Sequence, residues 1–259
     1  YKLTKNSTEK QRLSYYFCNL HMVKLSVNIN KIATLRNARG GNVPNLVKMA
    51  EDIQKFGADG ITIHPRPDER HIRYSDAIDL GKSVKKEFNI EGNPIKKFID
   101  LVLDVKPTQV TLVPDSIDQI TSNAGWDTKK HQKKLKEIIS EFKSNGIRTS
   151  IFVDPNPTMV EYAKKTGTDR VELYTESFAV GFEKGDLKVI NDFIECSEIA
   201  NSLEMKVNAG HDLNLKNIEY FSTNMPFLDE VSIGHALISE SIYLGIDNVI
   251  NLYIDKLNR

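Results

Sequence analysis

The 259-residue chain has no net charge, because 35 Lys and Arg balance 35 Asp and Glu. Nucleic-acid surfaces are usually strongly basic, so no nucleic-acid partner is expected. Cysteine is scarce. Cys18 and Cys196 make no CxxC and no metal-ligand spacing, which fits a reducing, cytoplasmic setting. No run of 18 apolar residues occurs, so no membrane span is expected. Residues 1–21 lack the apolar centre of a signal peptide and show no clear period. They read as an N-terminal extension, either disordered or a start-site artefact, with the working chain beginning at Met22. No linker rich in Pro, Gly or Ser interrupts residues 22–259, so one domain is the simplest reading. GxGxxG after the first strand, HxH and HExxH are missing as well.

What the chain does have is alternation. With 40% hydrophobic residues it can bury a sizeable core without a disulfide or metal staple. Short β-branched runs at 24–29, 60–64, 88–92, 109–114, 148–154, 170–175, 206–211 and 230–235 read as eight strands. Helical patterns lie between them. Leu46, Met49, Ala50, Ile53 and Phe56 share one helix face, with Gly57 as its C-terminal cap. Ser75 is an N-cap candidate, and Leu135, Ile138, Ile139 and Phe142 form another stripe. Further helices are expected over 156–167, 185–203 and 240–257. Such alternation predicts parallel strands with crossover helices. Eight units match a (β/α)8 TIM-type barrel, whose usual size is about 250 residues. A doubly wound open sheet is the runner-up, weakened by the missing glycine fingerprint.

Barrels of this type carry their sites at the C-terminal strand ends. Asn28, His64, Glu91, Asp154, Glu172, His211 and His235 stand there or close by. Three of only six histidines close strands, and His71 lies in the loop after the second. His64, Glu91, His211 and His235 could in principle surround a divalent ion, but no metal motif supports this. Acid–base work by His and Glu fits better, since imidazole titrates near neutrality. The loop over 64–76 holds Arg66, Arg70, His71 and Arg73. It reads either as a solvated charged loop or as a lid that clamps phosphate. Gly234 allows close backbone approach just before a helix whose N-terminus suits an anion. Two cationic places suggest two phosphates or one long substrate.

The motifs "VNINKIATLRNARG" (27–40), "GADGITIHPRPDERHI" (57–72), "NIEGN" (89–93), "VTLVPD" (110–115), "KVNAGHDL" (206–213) and "IGHALI" (233–238) resemble, in order, those of the pyridoxine 5′-phosphate synthase family. The likeness spans essentially 23–259. It implies a TIM-type barrel with additional helices, assembled as a homo-octamer and working without metal or organic cofactor. The implied reaction joins 1-deoxy-D-xylulose 5-phosphate to 3-amino-2-oxopropyl phosphate, giving pyridoxine 5′-phosphate, phosphate and water. By the same resemblance His64 and Glu91 are proton acceptors, His211 is the proton donor and Glu172 stabilises a transition state. Asn28, Gly234 and His235 match aminoacetone-phosphate contacts. Arg39, Arg66, His71 and Thr121 match sugar-phosphate contacts.

Departures from the family pattern are local. Asn30 and Lys31 stand where Asp-His is frequent, at sugar-phosphate contacts. Asn can bond a hydroxyl and Lys can offer a cation, but Asn cannot serve as a carboxylate base. Asp212 replaces a common Gly; its amide survives as a substrate contact, yet it adds a negative charge near a phosphate. Two other classes compete with the synthase reading. A sugar-phosphate isomerase on a barrel would leave the second cationic cluster unexplained. A binding protein on a decayed barrel would have lost His64, Glu91 and His211, which all remain.

Overall fold

The computed structural model describes residues 22–115 and 122–258, so the expectations for residues 1–21 and for Thr121 lie outside the described residues. Eight parallel strands close a barrel in chain order: β1 (Lys24–Asn28), β2 (Gly60–Ile63), β3 (Glu87–Gly92), β4 (Gln109–Leu112), β5 (Arg148–Val153), β6 (Arg170–Tyr174), β7 (Lys206–Gly210) and β8 (Leu228–Ile233). β8 returns to β1 through the pairs Leu25↔Val231 and Val27↔Ile233. This closure confirms the barrel and rules out the open sheet.

Alternate strand residues serve two environments. Leu25, Val27, Ile61, Ile63, Phe88, Ile90, Val110 and Leu112 are buried in the main apolar core. Their neighbours in sequence are polar and bond from strand to strand inside the barrel. Ser26 Oγ lies 2.8 Å from Thr62 Oγ1, Asn89 Nδ2 donates to Thr62 Oγ1 at 3.3 Å, and Thr111 Oγ1 donates to Asn89 Oδ1 at 3.1 Å. Branched aliphatic side chains usually fill such interiors. A second polar layer lies nearer the strand starts. There Arg148 pairs with Glu87 and donates to Gln109 Oε1 at 2.8 Å. Arg170 donates to Asn208 Oδ1 at 2.8 Å and lies 3.6 Å from Glu230. Buried charges are tolerated only when paired in this way.

The helices are α1 (Asn30–Asn37), α2 (Leu46–Lys55), α3 (Tyr74–Ser83), α4 (Lys96–Val105), α5 (Gln132–Ser144), α6 (Pro157–Lys165), α7 (Glu176–Glu183), α8 (Ile190–Ser202), α9 (Ile218–Asn224), α10 (His235–Leu244) and α11 (Ile246–Leu257). Asn45 and Asn156 cap α2 and α6 with their side chains. Several expectations need correction. The polar stretch after β1, where no helix was expected, forms one. Its first turn is set by Asn28 Oδ1, which accepts the Asn30 N–H at 3.0 Å. Ser75 lies inside α3, which starts after Arg73; the Arg73 N–H donates to Asp76 Oδ2 at 2.7 Å. The final helical stretch is broken at Gly245, whose φ of 79° lies in the left-handed region. Helices α4, α7 and α9 were not anticipated. Among the described residues no helix is long and apolar enough to cross a membrane.

Candidate active site

The barrel mouth collects most of the expected residues because the strands stop where their side chains turn polar. Asn28 ends β1, His64 follows β2, Glu91 lies near the end of β3, Glu172 lies in β6, and His211 follows β7. Gly234 separates β8 from α10, and a side chain there would press on Asn28 Cβ at 3.0 Å. Asn28 and Gly234 are therefore packed together, with His235 opening α10 and exposed. Asn30 reaches across to β2, where its Oδ1 accepts the His64 N–H at 2.9 Å.

His64 is buried, with 6% exposure. Burial, then Arg66, His71 and Arg70, holds its imidazole well below the usual range. His71 packs edge-on to it at 6.4 Å between ring centres. Burial, with Arg66, Lys31 and Arg70, lowers His71 to about 4. Its Nδ1 accepts the Ile72 N–H at 2.9 Å, so the neutral ring carries its proton on Nε2. Both histidines are thus neutral at pH 7, although the cluster is rich in cations.

The carboxyl groups shift the other way. Burial raises Glu91 well above the carboxylate range, and Glu172, Asp115 and Glu230 add to the rise. Burial lifts Glu172 to about 7, against the opposing pull of the Thr111 hydroxyl and His211. Thr111 Oγ1 lies 3.5 Å from Glu172 Oε2. Gly210 on the next strand leaves room for this carboxyl, since an added Cβ would stand 2.5 Å from Glu172 Oε1. His211 adopts φ 83°, and its Nδ1 lies 2.6 Å from Asp212 Oδ2. The Tyr174 ring meets His211 edge-on at 5.1 Å.

The arginines are less available than their sequence position suggests. Arg66 is buried and ion-paired with Asp115 at 2.5 Å, while Ser122 Oγ donates to the same carboxylate oxygen at 2.8 Å. A cavity of about 10 Å³ adjoins this pair, lined by His64, Tyr74, Asn93 and Asp115 among others. Arg70 pairs with Asp68 at 2.7 Å. Arg36 and Asn37 hold the 64–73 loop. Arg36 makes a two-pronged pair with Asp76 at 2.6 and 2.8 Å, and Asn37 Nδ2 donates to the His71 carbonyl at 2.8 Å. Lys31 and Arg39 are exposed; Arg39 sits in the turn after α1, its N–H on the Arg36 carbonyl. Sequence reasoning missed Asp115, Thr111 and Tyr174 as neighbours of the site; Asp115 at least closed the quoted "VTLVPD" run. Among the described residues no group of three His, Cys, Asp or Glu is placed to hold a metal ion.

Residues 25–259 match the family described as "Pyridoxal phosphate biosynthesis protein PdxJ". The chain belongs to this family. It is 65% identical over 236 residues to a pyridoxine 5′-phosphate synthase of Christiangramia forsetii, covering 91% of this chain and 100% of that protein. A pyridoxine 5′-phosphate synthase of Flavobacterium johnsoniae is 66% identical over 236 residues, with the same coverage. The resemblance read from the six motifs is borne out. A tryptophan synthase structure from Mycobacterium tuberculosis superposes with a TM-score of 0.62 at 11% identity, covering 93% of this chain and 94% of that one. At that identity the likeness speaks for the barrel alone.

Proposed function

We propose that this family member joins 1-deoxy-D-xylulose 5-phosphate to 3-amino-2-oxopropyl phosphate, giving pyridoxine 5′-phosphate, phosphate and two waters. The observation that carries the reading is the set of opposed proton carriers at one barrel mouth. His64 rests neutral, whereas Glu91 and Glu172 hold protons unusually tightly. The amine must attack a ketone and lose water to form an imine. Proton removal beside that imine then makes an enamine, and loss of phosphate and a second water accompanies ring closure. A neutral imidazole takes up a proton, and a carboxyl with pKa about 7 gives or takes one at little cost. His64 and Glu91 act as acceptors, His211 as donor, and Glu172 stabilises developing positive charge. Asn28, Asp212 (through its amide), Gly234 and His235 hold the amine substrate. Asn30, Lys31, Arg39, Arg66, His71 and Thr121 hold the sugar phosphate.

The reaction needs no cofactor in this reading and takes place in the cytoplasm. The chain assembles as a homo-octamer, which would cover exposed apolar side chains such as Leu35, Val43, Ile242 and Tyr243. The test is product formation from the two substrates with EDTA present, followed by absorbance and mass. Product that disappears in His64→Ala supports the reading. A folded protein that makes none refutes it and favours a single-substrate barrel enzyme.

A further inference from the structure

His211 is held from two sides. Tyr174 packs against its ring at 85°, and the Asp212 carboxylate takes its Nδ1 at 2.6 Å. The backbone at His211 is left-handed, with φ 83°, a conformation that non-glycine residues seldom adopt. The Leu213 N–H turns back onto the His211 carbonyl, which tightens the bend after β7. An Asp beside its own neighbour's imidazole has a definite chemical consequence. An ionised carboxylate only accepts hydrogen bonds, so the ring nitrogen facing it must carry a proton. In a neutral imidazole the other nitrogen then has the lone pair, and that nitrogen must exchange protons with a substrate. The negative charge that the sequence placed near a phosphate is thus engaged by an imidazole.

We infer that Asp212 is a positioning residue that keeps one proton of His211 on Nδ1, so that Nε2 is the nitrogen that takes up a second proton and, from the imidazolium so formed, gives it to the substrate. A carboxylate that orients a catalytic imidazole acts in this way in other enzymes. The inference rests on the proposed donor role of His211 only for its kinetic consequence; the ring form can be read without any substrate. Asp212 is partly exposed, so its effect is smaller than that of a buried orienting carboxylate.

The test uses histidine-labelled full-length protein and solid-state ¹⁵N spectra, with the His211 signals assigned by their loss in His211→Gln. The neutral ring of the unaltered protein should show protonated Nδ1 and bare Nε2. Asp212→Gly should shift the population toward protonated Nε2, with kcat down about tenfold, short of the 10²–10⁴ that a positioned acid contributes in full. Asp212→Asn keeps an acceptor oxygen, so it should keep the Nδ1–H form and recover part of kcat. KM for either substrate should move far less than kcat. An unchanged ring form in Asp212→Gly overturns the inference. So does a KM rise at constant kcat, which would make the side chain a substrate contact only. Absence of synthase activity in the unaltered protein would sink the proposed reaction but leave the spectral result readable.

Discussion

Replacing Glu172 by Gln should stabilise the protein, and only above acidic pH. Glu172 is buried, with 3% exposure, and its carboxyl keeps its proton up to about 7 rather than 4.5. Below pH 4.5 the group is protonated in both folded and unfolded chains and contributes no pH dependence. As pH rises from 4.5 to about 7, the unfolded chain releases this proton while the native chain retains it. Stability therefore falls across that window and levels off above it. At about 1.4 kcal/mol per pH step the loss amounts to roughly 3 kcal/mol. Gln is nearly isosteric and cannot ionise, so Glu172→Gln escapes the loss. It also removes the carboxylate that raises Glu91, which adds relief of the same sign. In a domain of this size 1 kcal/mol moves Tm by about 2–4 °C. The Tm difference between variant and parent should thus widen by about 6–12 °C between pH 4.5 and pH 8 at fixed ionic strength. Synthase activity should fall at the same time, a trade-off common where strained sites serve function. Parallel Tm–pH curves, or a variant that loses ground as pH rises, would refute the burial argument.

Two further changes probe how the site is held. Gly210→Ala places a methyl 2.5 Å from Glu172 Oε1 and 3.2 Å from the Ser232 carbonyl. It should cost about 1–3 kcal/mol by urea unfolding and lower kcat by displacing the carboxyl. Arg36→Ala strands Asp76, which is only 13% exposed, and should cost about 3–5 kcal/mol. Since Arg36 also holds the His71 loop, steady-state kinetics should show KM for the sugar phosphate rising more than kcat falls.

The barrel was legible because each strand has an apolar set that must meet helices. What the β-branched runs concealed was the other set. Ser26, Thr62, Asn89 and Thr111 look like ordinary strand residues, yet they form a polar interior. Helix α1 was hidden for a related reason: its inner face is Ile32, Ala33 and Arg36, so a buried arginine stands where an apolar residue would signal a helix. Helix α4 could have been read, since Phe98, Leu101 and Val102 keep helical spacing. The break at Gly245 was also visible in the sequence but was read through. Strand ends announced the histidines and glutamates that the barrel mouth brings together, and the family resemblance supplied the roles proposed for them. Their electrostatic state was not legible. It depends on partners far along the chain, such as Asp115 for Arg66 and Glu172 for Glu91.

That electrostatic state bears on how Glu91 could fill the role of base proposed for it. At rest its proton is retained because desolvation and neighbouring carboxylates penalise the charged form. A resting protonated acid cannot accept a proton. On the proposed reading the substrate supplies what is missing, because an amine arrives in water mainly as an ammonium ion. A cation beside Glu91 offsets the repulsion from Glu172, Asp115 and Glu230, and a carboxylate becomes the favoured form. The ammonium must itself lose a proton before it can attack a ketone. His64 can take it, since burial and the Arg66 charge keep it neutral until then. Glu91 then becomes a base only in the presence of its substrate. Asn30 cannot share that role, having no ionisable oxygen and already accepting the His64 N–H. The substitution of Asn for a frequent Asp thus leaves Glu91 and Glu172 as the carboxyl groups at the barrel mouth whose proton a bound cation can release.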